Sequence, residues 1–202
     1  MHQTRRRRKQ TKSIEISCNR ILLRMTGNNG DNTIAILQYN LHKNRLRTHS
    51  VLNDPSSSKY TMLIIQEQYW SEYTESAPMH GSWTLIESGS YPNRNPRSAI
   101  YINNRILDTS AFHIITIPLP DVMAVAINTI SNIKPMLVIN VYNPSDENLI
   151  IPLFEHLQAN VNLSQYHAII IAGDFNLHHP LWNPPQHHKY DRQADELIKG
   201  ML

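Results

Sequence analysis

The segment of residues 167–182, HAIIIAGDFNLHHPLW, constrains the fold most strongly, because an unbroken apolar run ends directly at polar side chains. Residues 169–172 form this run and predict a strand that is covered on both faces. Gly173 permits close approach of the backbone just before Asp174 and Asn176. Ligands of open α/β sheets bind outside the carboxyl ends of such strands. The segment therefore predicts a polar site at a sheet edge, although Asp and Asn also occur in simple turns.

Length and composition indicate a globular protein of one domain or slightly more. The chain has 202 residues, of which 41% are hydrophobic, and this is enough for a core. No stretch approaches the roughly 20 apolar residues that span a bilayer, and no apolar segment follows the basic start as in a secretion signal. The single cysteine, Cys18, excludes an internal disulfide and is compatible with a reducing compartment. We therefore expect an intracellular protein that is not embedded in a membrane, and the oligomeric state stays open.

The positive charge is concentrated near the amino terminus. Residues 1–25 carry eight Lys and Arg against Glu15, a net charge of +7, so the rest of the chain carries −4 of the total of +3. The basic run at residues 5–9 can contact phosphates or serve as a nuclear address, but such runs are more often solvated, disordered ends. Residues 26–32, TGNNGDN, predict a turn-rich break. We therefore predict a basic, disordered tail over residues 1–32 and a domain that begins at residue 33.

Strand and helix patterns alternate along this domain. Residues 33–39 predict a strand, residues 42–53 a helix with Leu46 and Val51 facing inward, and residues 62–66 a second strand, which together resemble a βαβ opening. Further strands are predicted over residues 82–87, 98–103, 111–117, 122–130 and 136–141. This order favours a layered α/β sandwich over a helical bundle.

Two helices are predicted in the last third of the chain. The first tolerates Pro152 near its first turn and places Leu153, Leu157 and Val161 on one face. The second is capped by Asp191. Its apolar stripe consists of Ala194, Leu197, Ile198, Met201 and Leu202. This stripe indicates either a domain that continues past residue 202 or a short terminal helix that packs back on the sheet.

Polar side chains follow four of the predicted strands. The first two strands are followed by Asn40 and Glu67. The two later strands end at Tyr142 with Asn143 and at Asp174 with Asn176. We expect these groups to converge on one rim, because the same placement at four strand ends is hard to obtain from turns alone.

Five segments carry a resemblance to a known family: QYNLHKN at 38–44, LIIQEQYW at 63–70, RSAIYINN at 97–104, VYNPS at 141–145 and GDFNLHHPLW at 173–182. In this order they resemble the endonuclease/exonuclease/phosphatase superfamily, and within it the apurinic-type endonuclease domains of non-LTR retrotransposons. The resemblance runs over residues 33–202 and implies a four-layer α/β sandwich. The late Asp and terminal Ser-Asp-His motif of the family have no counterpart, so it also implies a partial domain whose carboxyl-terminal part is missing.

The resemblance implies a role for each strand-end residue. Glu67 would be the main carboxylate ligand of Mg²⁺, with Asn40 beside it and with Mn²⁺ as an expected substitute. Asp174 would orient and deprotonate the attacking water. Asn176 and Tyr142 would donate hydrogen bonds to the scissile phosphate. The implied reaction is in-line hydrolysis of a phosphodiester with the metal as Lewis acid.

The HHPLW segment implies contact with the substrate. In the resembling domains this segment is a loop beside the substrate groove, so His179 and Trp182 are predicted to contact DNA. A zinc site built from His178, His179, His187 and His188 is the weaker alternative, because their spacing is not that of a structural zinc site and no cysteine accompanies them.

The sequence thus predicts a Mg²⁺-dependent DNA endonuclease of retrotransposon type. The missing Ser-Asp-His motif predicts reduced or abolished activity for this chain, because loss of one preorganised group costs about a hundredfold or more in rate. Two alternatives stay open at this point. One is a non-catalytic remnant that binds nucleic acid, and the other is a phosphatase of the same superfamily that acts on phosphoinositides or nucleotides.

Overall fold

A computed structural model describes residues 20–27, 30–87, 94–128 and 134–201, with side-chain environments from Ile34 onward. The elements in chain order are β1 (Arg20–Gly27), β2 (Gly30–Asn40), α1 (Arg45–Asn53), β3 (Met62–Gln66), β4 (Trp83–Glu87), β5 (Ser98–Asn103), β6 (Phe112–Ile115), β7 (Val122–Ile127), β8 (Met136–Tyr142), α2 (Ile150–Asn160), β9 (Ala168–Asp174) and α3 (Gln193–Met201). Strands β3 and β5 have the predicted bounds. Strand β6 ends two residues before the predicted end, and residues 129–130 of the strand predicted over 122–130 lie outside the described ranges.

The strands form two mixed sheets. The first has the order β1-β2-β3-β5-β4 and the second the order β6-β7-β8-β9. Within each sheet one pair is parallel, β2 with β3 and β8 with β9, and the helix between them, α1 or α2, makes the crossover. Each sheet therefore contains one βαβ unit, whose two strands end at the same edge. This confirms the predicted α/β sandwich.

The main core lies between the two sheets. Strand β7 shows this arrangement, because its residues alternate between two buried environments. Met123, Val125 and Ile127 pack in the cluster shared with the first sheet, including Ile64. The intervening residues pack on the other side with Leu153 of α2. All six residues of β7 are buried, so its alternation separates two apolar layers rather than a core face from a solvent face.

The inward face of α1 differs from the prediction. Leu46 is 81% exposed and Val51 is only half-buried, whereas Thr48 and Leu52 are the buried residues. The reason is the start of the helix, which Asn44 caps by accepting a 3.0 Å hydrogen bond from the backbone N–H of residue 47. This start sets the helical phase so that positions 48 and 52, one turn apart, face the sheet.

The first sheet begins earlier than the predicted domain start. Strand β1 pairs antiparallel with β2 along its whole length, from Arg20 opposite Leu37 to Gly27 opposite Gly30. Its pairing is made by backbone hydrogen bonds, which do not require a long apolar run. Residues 1–19 lie outside the described ranges, so the disordered tail stays a prediction there. Within the described ranges, none of the helices is long and apolar enough to cross a lipid bilayer.

Helices α2 and α3 pack together on the outer face of the second sheet. Leu153 and Leu157 of α2 are buried as predicted, and Pro152 lies in the first turn. Ala194 and Leu197 of α3 are buried, and Leu197 belongs to the same apolar cluster as the α2 residues. The described part of the predicted stripe therefore packs back on the sheet.

The capping role predicted for Asp191 is wrong. Its carboxylate Oδ2 accepts a 2.8 Å hydrogen bond from the backbone N–H of His178, and its backbone carbonyl accepts from the N–H of Ala194 at 2.9 Å. The carboxylate thus ties the start of α3 to the loop that follows β9. The sequence next to Asp191 does not reveal that the N–H of His178, thirteen residues earlier, binds this carboxylate instead of the N–H groups of α3.

Candidate active site

Gly173 brings the ends of β8 and β9 close together. Its φ angle is +148°, and a Cβ atom there would lie 1.9 Å from the carbonyl oxygen of Val141. No other residue fits this approach without moving the backbone. The pairing places Tyr142 opposite Asp174, and the carbonyl of Asp174 accepts a 2.8 Å hydrogen bond from the N–H of Asn143.

A hydrogen bond joins the two sheets at this edge. The side-chain Nδ2 of Asn40 donates to Oδ2 of Asp174 at 2.7 Å. The amide oxygen of Asn40 accepts the backbone N–H of His42 at 2.9 Å, which orients the amide. The other carboxylate oxygen of Asp174 accepts the N–H of Asn176 at 3.2 Å. These two hydrogen bonds fix the orientation of the Asp174 carboxylate at the junction of the two sheets.

Glu67 follows β3 in a left-handed conformation. Its φ angle is +48°, which costs a non-glycine residue about 1 kcal/mol or more. Two backbone hydrogen bonds hold it, from its N–H to the carbonyl of Arg97 at 2.7 Å and from the N–H of Lys43 to its carbonyl at 2.6 Å. Its carboxylate accepts the phenol of Tyr142 at 3.1 Å, and its other oxygen lies 3.4 Å from Nδ1 of His42. A strained backbone conformation that neighbouring hydrogen bonds hold in place indicates that Glu67 occupies a functional position.

Tyr142 remains a proton donor. Desolvation, followed by the nearby charge of Glu67 and the hydrogen bond to it, raises the pKa of Tyr142 to about 12. The phenol therefore keeps its proton at neutral pH and donates a hydrogen bond rather than acting as a base.

Asn176 is also held in a left-handed conformation, with a φ angle of +48°. Its Nδ2 donates to the carbonyl of Asn143 at 2.9 Å. Asn143 in turn donates to the carbonyl of Phe175 at 2.8 Å and is buried. These bonds fix Asn176 beside Asp174, so the structure brings together the residues predicted at all four strand ends.

A buried polar layer beneath this edge was not predicted. Gln66 and Asn140 are fully buried, and Gln38 is 8% exposed. Gln38 donates to Gln66 and to the carbonyl of Gly173, Gln66 donates to Asn140, and Asn140 donates to two backbone carbonyls of the first sheet. In the sequence these residues are visible as amides that follow or interrupt an apolar run: Gln38 in IAILQYN, Gln66 at the end of MLIIQ and Asn140 in MLVINV.

His179 and Trp182, predicted to contact DNA, belong to a cluster of their own. Their rings lie 5.0 Å apart, and Nε2 of His179 lies 3.5 Å from a carboxylate oxygen of Asp195. Nδ1 of His179 accepts the N–H of Leu181 at 3.1 Å, and the indole N–H of Trp182 donates to the carbonyl of Leu177 at 2.8 Å. The polar atoms of both side chains therefore organise the loop itself.

The four histidines of the zinc alternative do not converge. The rings of His178 and His187 stack with centroids 4.5 Å apart, whereas His179 faces Asp195. In the part of the chain that the structure describes, no group of three or more His, Cys, Asp or Glu is placed to hold a metal ion.

The strand-end residues have the donor chemistry of a hard divalent cation. Mg²⁺ takes oxygen ligands, commonly one or two carboxylates, and keeps several waters. Glu67 and Asp174 offer carboxylate oxygens, and the amide oxygen of Asn40 accepts the N–H of His42. These donor types match the preference of Mg²⁺ or Mn²⁺, and Glu67 is the less hydrogen-bonded carboxylate of the pair.

Comparison with known proteins agrees with this architecture. Residues 136–202 match the model of the endonuclease-reverse transcriptase family. The chain is similar to the endonuclease domain of TRAS1, a telomere-specific non-LTR retrotransposon, at a TM-score of 0.59 and 19% identity, over 82% of this chain and 68% of that one. It is also similar to a humanized D. rerio TDP2 with 14 mutations, at a TM-score of 0.49 and 12% identity, over 81% and 66%.

No curated protein matches the sequence. The match of residues 136–202 covers three of the site residues, namely Tyr142, Asp174 and Asn176. The resemblance inferred from the sequence motifs is confirmed by these matches: residues 136–202 fit the endonuclease-reverse transcriptase family model, and the chain has the α/β-sandwich fold of the TRAS1 endonuclease domain.

Proposed function

We propose that this chain is a metal-dependent DNA endonuclease domain of retrotransposon type. The observation that carries the proposal is the pair of hydrogen bonds between the two sheets, from Asn40 to Asp174 and from Tyr142 to Glu67. They assemble two carboxylates and two proton donors at one edge, as hydrolysis of a phosphodiester requires. The family model and the TRAS1 endonuclease domain support DNA as the substrate.

Asp174 is the proposed general base. Its carboxylate accepts hydrogen bonds from Asn40 and Asn176, which aim it at one position beside the phosphate site where it can take a proton from water. The oxygen of that water attacks phosphorus, its proton passes to Asp174, and the bond from phosphorus to the leaving oxygen breaks. The Asn40 amide keeps the carboxylate in one orientation during this transfer.

Tyr142 and Asn176 are the proposed phosphate ligands. Tyr142 keeps its proton because its pKa is raised to about 12, so its phenol can turn from Glu67 to a phosphate oxygen. The amide of Asn176 is fixed by the carbonyl of Asn143. Donors that are fixed before the substrate binds stabilise the charge that develops in the transition state.

Glu67 is the proposed main metal ligand, with Asn40 beside it. A bound Mg²⁺, or Mn²⁺ in its place, would supply positive charge at the phosphate as a Lewis acid. The predicted contacts of His179 and Trp182 with DNA remain proposals. The polar atoms of both residues are engaged within the loop and with Asp195, and the two rings also contact each other.

The test is nicking of supercoiled plasmid in the presence of Mg²⁺. We expect nicking that EDTA abolishes and that falls at least a hundredfold in Asp174→Asn and Glu67→Gln. Asp146→Asn is the matched control, because Asp146 is an exposed carboxylate outside the site. Failure of the chain to nick under these conditions would overturn the endonuclease proposal.

Two other outcomes would identify the alternatives. Hydrolysis of nucleotides or phosphoinositides with the plasmid untouched would identify a phosphatase of the same superfamily. Salt-dependent DNA binding that persists in Asp174→Ala and Glu67→Ala, without hydrolysis, would identify a binding remnant.

A further inference from the structure

A buried carboxylate, that of Asp121, lies next to Tyr142 and has no part in the proposed reaction. Asp121 is 1% exposed and adopts a left-handed conformation with a φ angle of +58° just before β7. Its backbone carbonyl accepts the N–H of Tyr142 at 2.9 Å. An ionisable side chain at such a position needs close partners to stay charged.

Arg97 is the main partner of this carboxylate. Its backbone N–H donates to Oδ1 of Asp121 at 2.7 Å, and its Nε donates to Oδ2 at 2.9 Å. Its Nη2 lies 2.8 Å from Oδ2, and Arg94 donates to the same oxygen. Burial raises the pKa of Asp121, and the hydrogen bonds and charge of Arg97 oppose this rise.

Arg97 also contacts both members of the Tyr142–Glu67 pair. The guanidinium carbon lies 4.9 Å from the centroid of the Tyr142 ring, within the range of a cation–π contact. The backbone carbonyl of Arg97 accepts the N–H of Glu67 at 2.7 Å. Arg97 thus contacts the ring of Tyr142 and also holds the backbone of Glu67, whose carboxylate accepts the Tyr142 phenol.

We infer that Arg97 and Asp121 are positioning residues that hold the ring of Tyr142 in place, so that its phenol can turn from Glu67 to a phosphate oxygen. The inference rests on the proposed function and adds two residues outside the segment that matches the family model. Arg97 acts through Tyr142 rather than through the substrate, because its guanidinium is directed to Asp121, with Glu147 3.5 Å away. A planar guanidinium suits this position, because it stacks on the ring while its edge binds the carboxylate.

The kinetic test compares variants at residue 97 in plasmid nicking. Arg97→Met should lower kcat about tenfold or more, with KM and the salt dependence of binding unchanged, since misplacement of a catalytic group affects the chemical step. Arg97→Lys should restore only part of kcat, because it retains the charge but lacks the planar edge. Arg105→Met, which removes an exposed arginine, is the control. A rise in KM with a weaker salt dependence would instead identify Arg97 as a phosphate contact and overturn the inference.

A second measurement does not depend on activity. Tyrosines labelled with ¹³C at Cζ give one NMR signal each, and Tyr142→Phe assigns the signal of Tyr142. This signal should shift in Arg97→Met and in the double variant Arg97→Met/Asp121→Asn, which also removes the charge that the single change leaves with Arg94 as its cationic partner. It should not shift in Arg105→Met. An unchanged signal in the folded variants would overturn the inference, whereas a shifted signal in a chain that does not nick would contradict only the proposed function.

Discussion

The amide of Asn40 donates a 2.7 Å hydrogen bond to the carboxylate of Asp174, although 134 positions separate the two residues. Each residue ends a strand of a parallel pair, Asn40 in the first sheet and Asp174 in the second. The bond therefore reports that the two βαβ units direct their carboxyl ends to the same edge of the sandwich. A polar site at this edge depends on the packing of both sheets.

Removal of the charge of Glu67 should weaken metal binding. We expect Mg²⁺ to bind in about the millimolar range, as one carboxylate with waters can support. Glu67→Gln should weaken binding about tenfold, because it removes the anionic ligand and keeps the size of the side chain. Asn176→Ala should change it less. Calorimetry or Mn²⁺ relaxation measures both variants, and a Glu67→Gln variant that binds like the parent would move the ligand assignment to Asp174.

The buried polar layer should be sensitive to the loss of Asn140. Asn140→Ala removes the acceptor of the Gln66 amide and one hydrogen-bond donor from each of the carbonyls of Ile65 and Ala99. Each unsatisfied buried group costs about 1–3 kcal/mol, so the free energy of unfolding should fall by at least about 2 kcal/mol. Asn53→Ala, on the exposed end of α1, should change it by less than about 1 kcal/mol. Urea unfolding provides the measurement, and equal effects of the two changes would refute the role of the layer.

Gly173 should not tolerate a side chain. Gly173→Ala would place a methyl group 1.9 Å from the carbonyl oxygen of Val141, so β8 and β9 must separate. We expect a loss of more than about 3 kcal/mol or failure to fold. Gly81→Ala is the matched control, because a Cβ there meets nothing within 4 Å. Thermal melts of both variants decide the matter, and comparable melting temperatures would contradict the close approach.

Tyr142 should contribute to unfolding at high pH. Its pKa rises from 10.0 to about 12 on folding, so the unfolded chain loses the phenol proton first. The contribution to stability is complete below pH 10 and is lost as the pH rises toward about 12. Tyr142→Phe should therefore make the melting temperature fall less steeply between pH 10 and 12. Tyr73→Phe, at a 98% exposed position, should leave the slope unchanged. The same slope in both variants would show that Tyr142 is not desolvated.

Local patterns were sufficient for the strands from residue 33 onward and for the placement of polar residues at their ends, but not for β1, which lies in the predicted tail. The bounds of β3 and β5 were predicted correctly, because each is a short apolar run between turn signals. The strand-end positions of Asn40, Glu67 and Asp174 were visible for the same reason. A strand that is buried on both faces is apolar along its whole length, so the first polar residues after it mark its end.

The helix faces and caps were less predictable. Leu46 is apolar and exposed, whereas Thr48 is polar and buried, since its hydroxyl donates to the carbonyl of Asn44 and accepts the N–H of Tyr69. Apolar residues identify the buried face of a helix only if no polar residue of that helix has a hydrogen-bond partner inside the protein. The partner of Thr48 lies in the loop after β3, and no pattern within α1 reveals it.

Long-range polar contacts required the packed fold. Gln66 ends the apolar strand β3 and Asn140 lies inside the apolar strand β8, and a buried amide is unfavourable without a partner, yet Gln66 donates to Asn140 across 74 positions. The pairing of Arg97 with Asp121 and the contact of Arg97 with Tyr142 likewise join separate strands. Hydrophobic periodicity reflects burial, and it can be recognised in the sequence of each segment alone. A buried hydrogen bond needs two groups at one distance and angle, and only the relative placement of the two sheets sets these quantities.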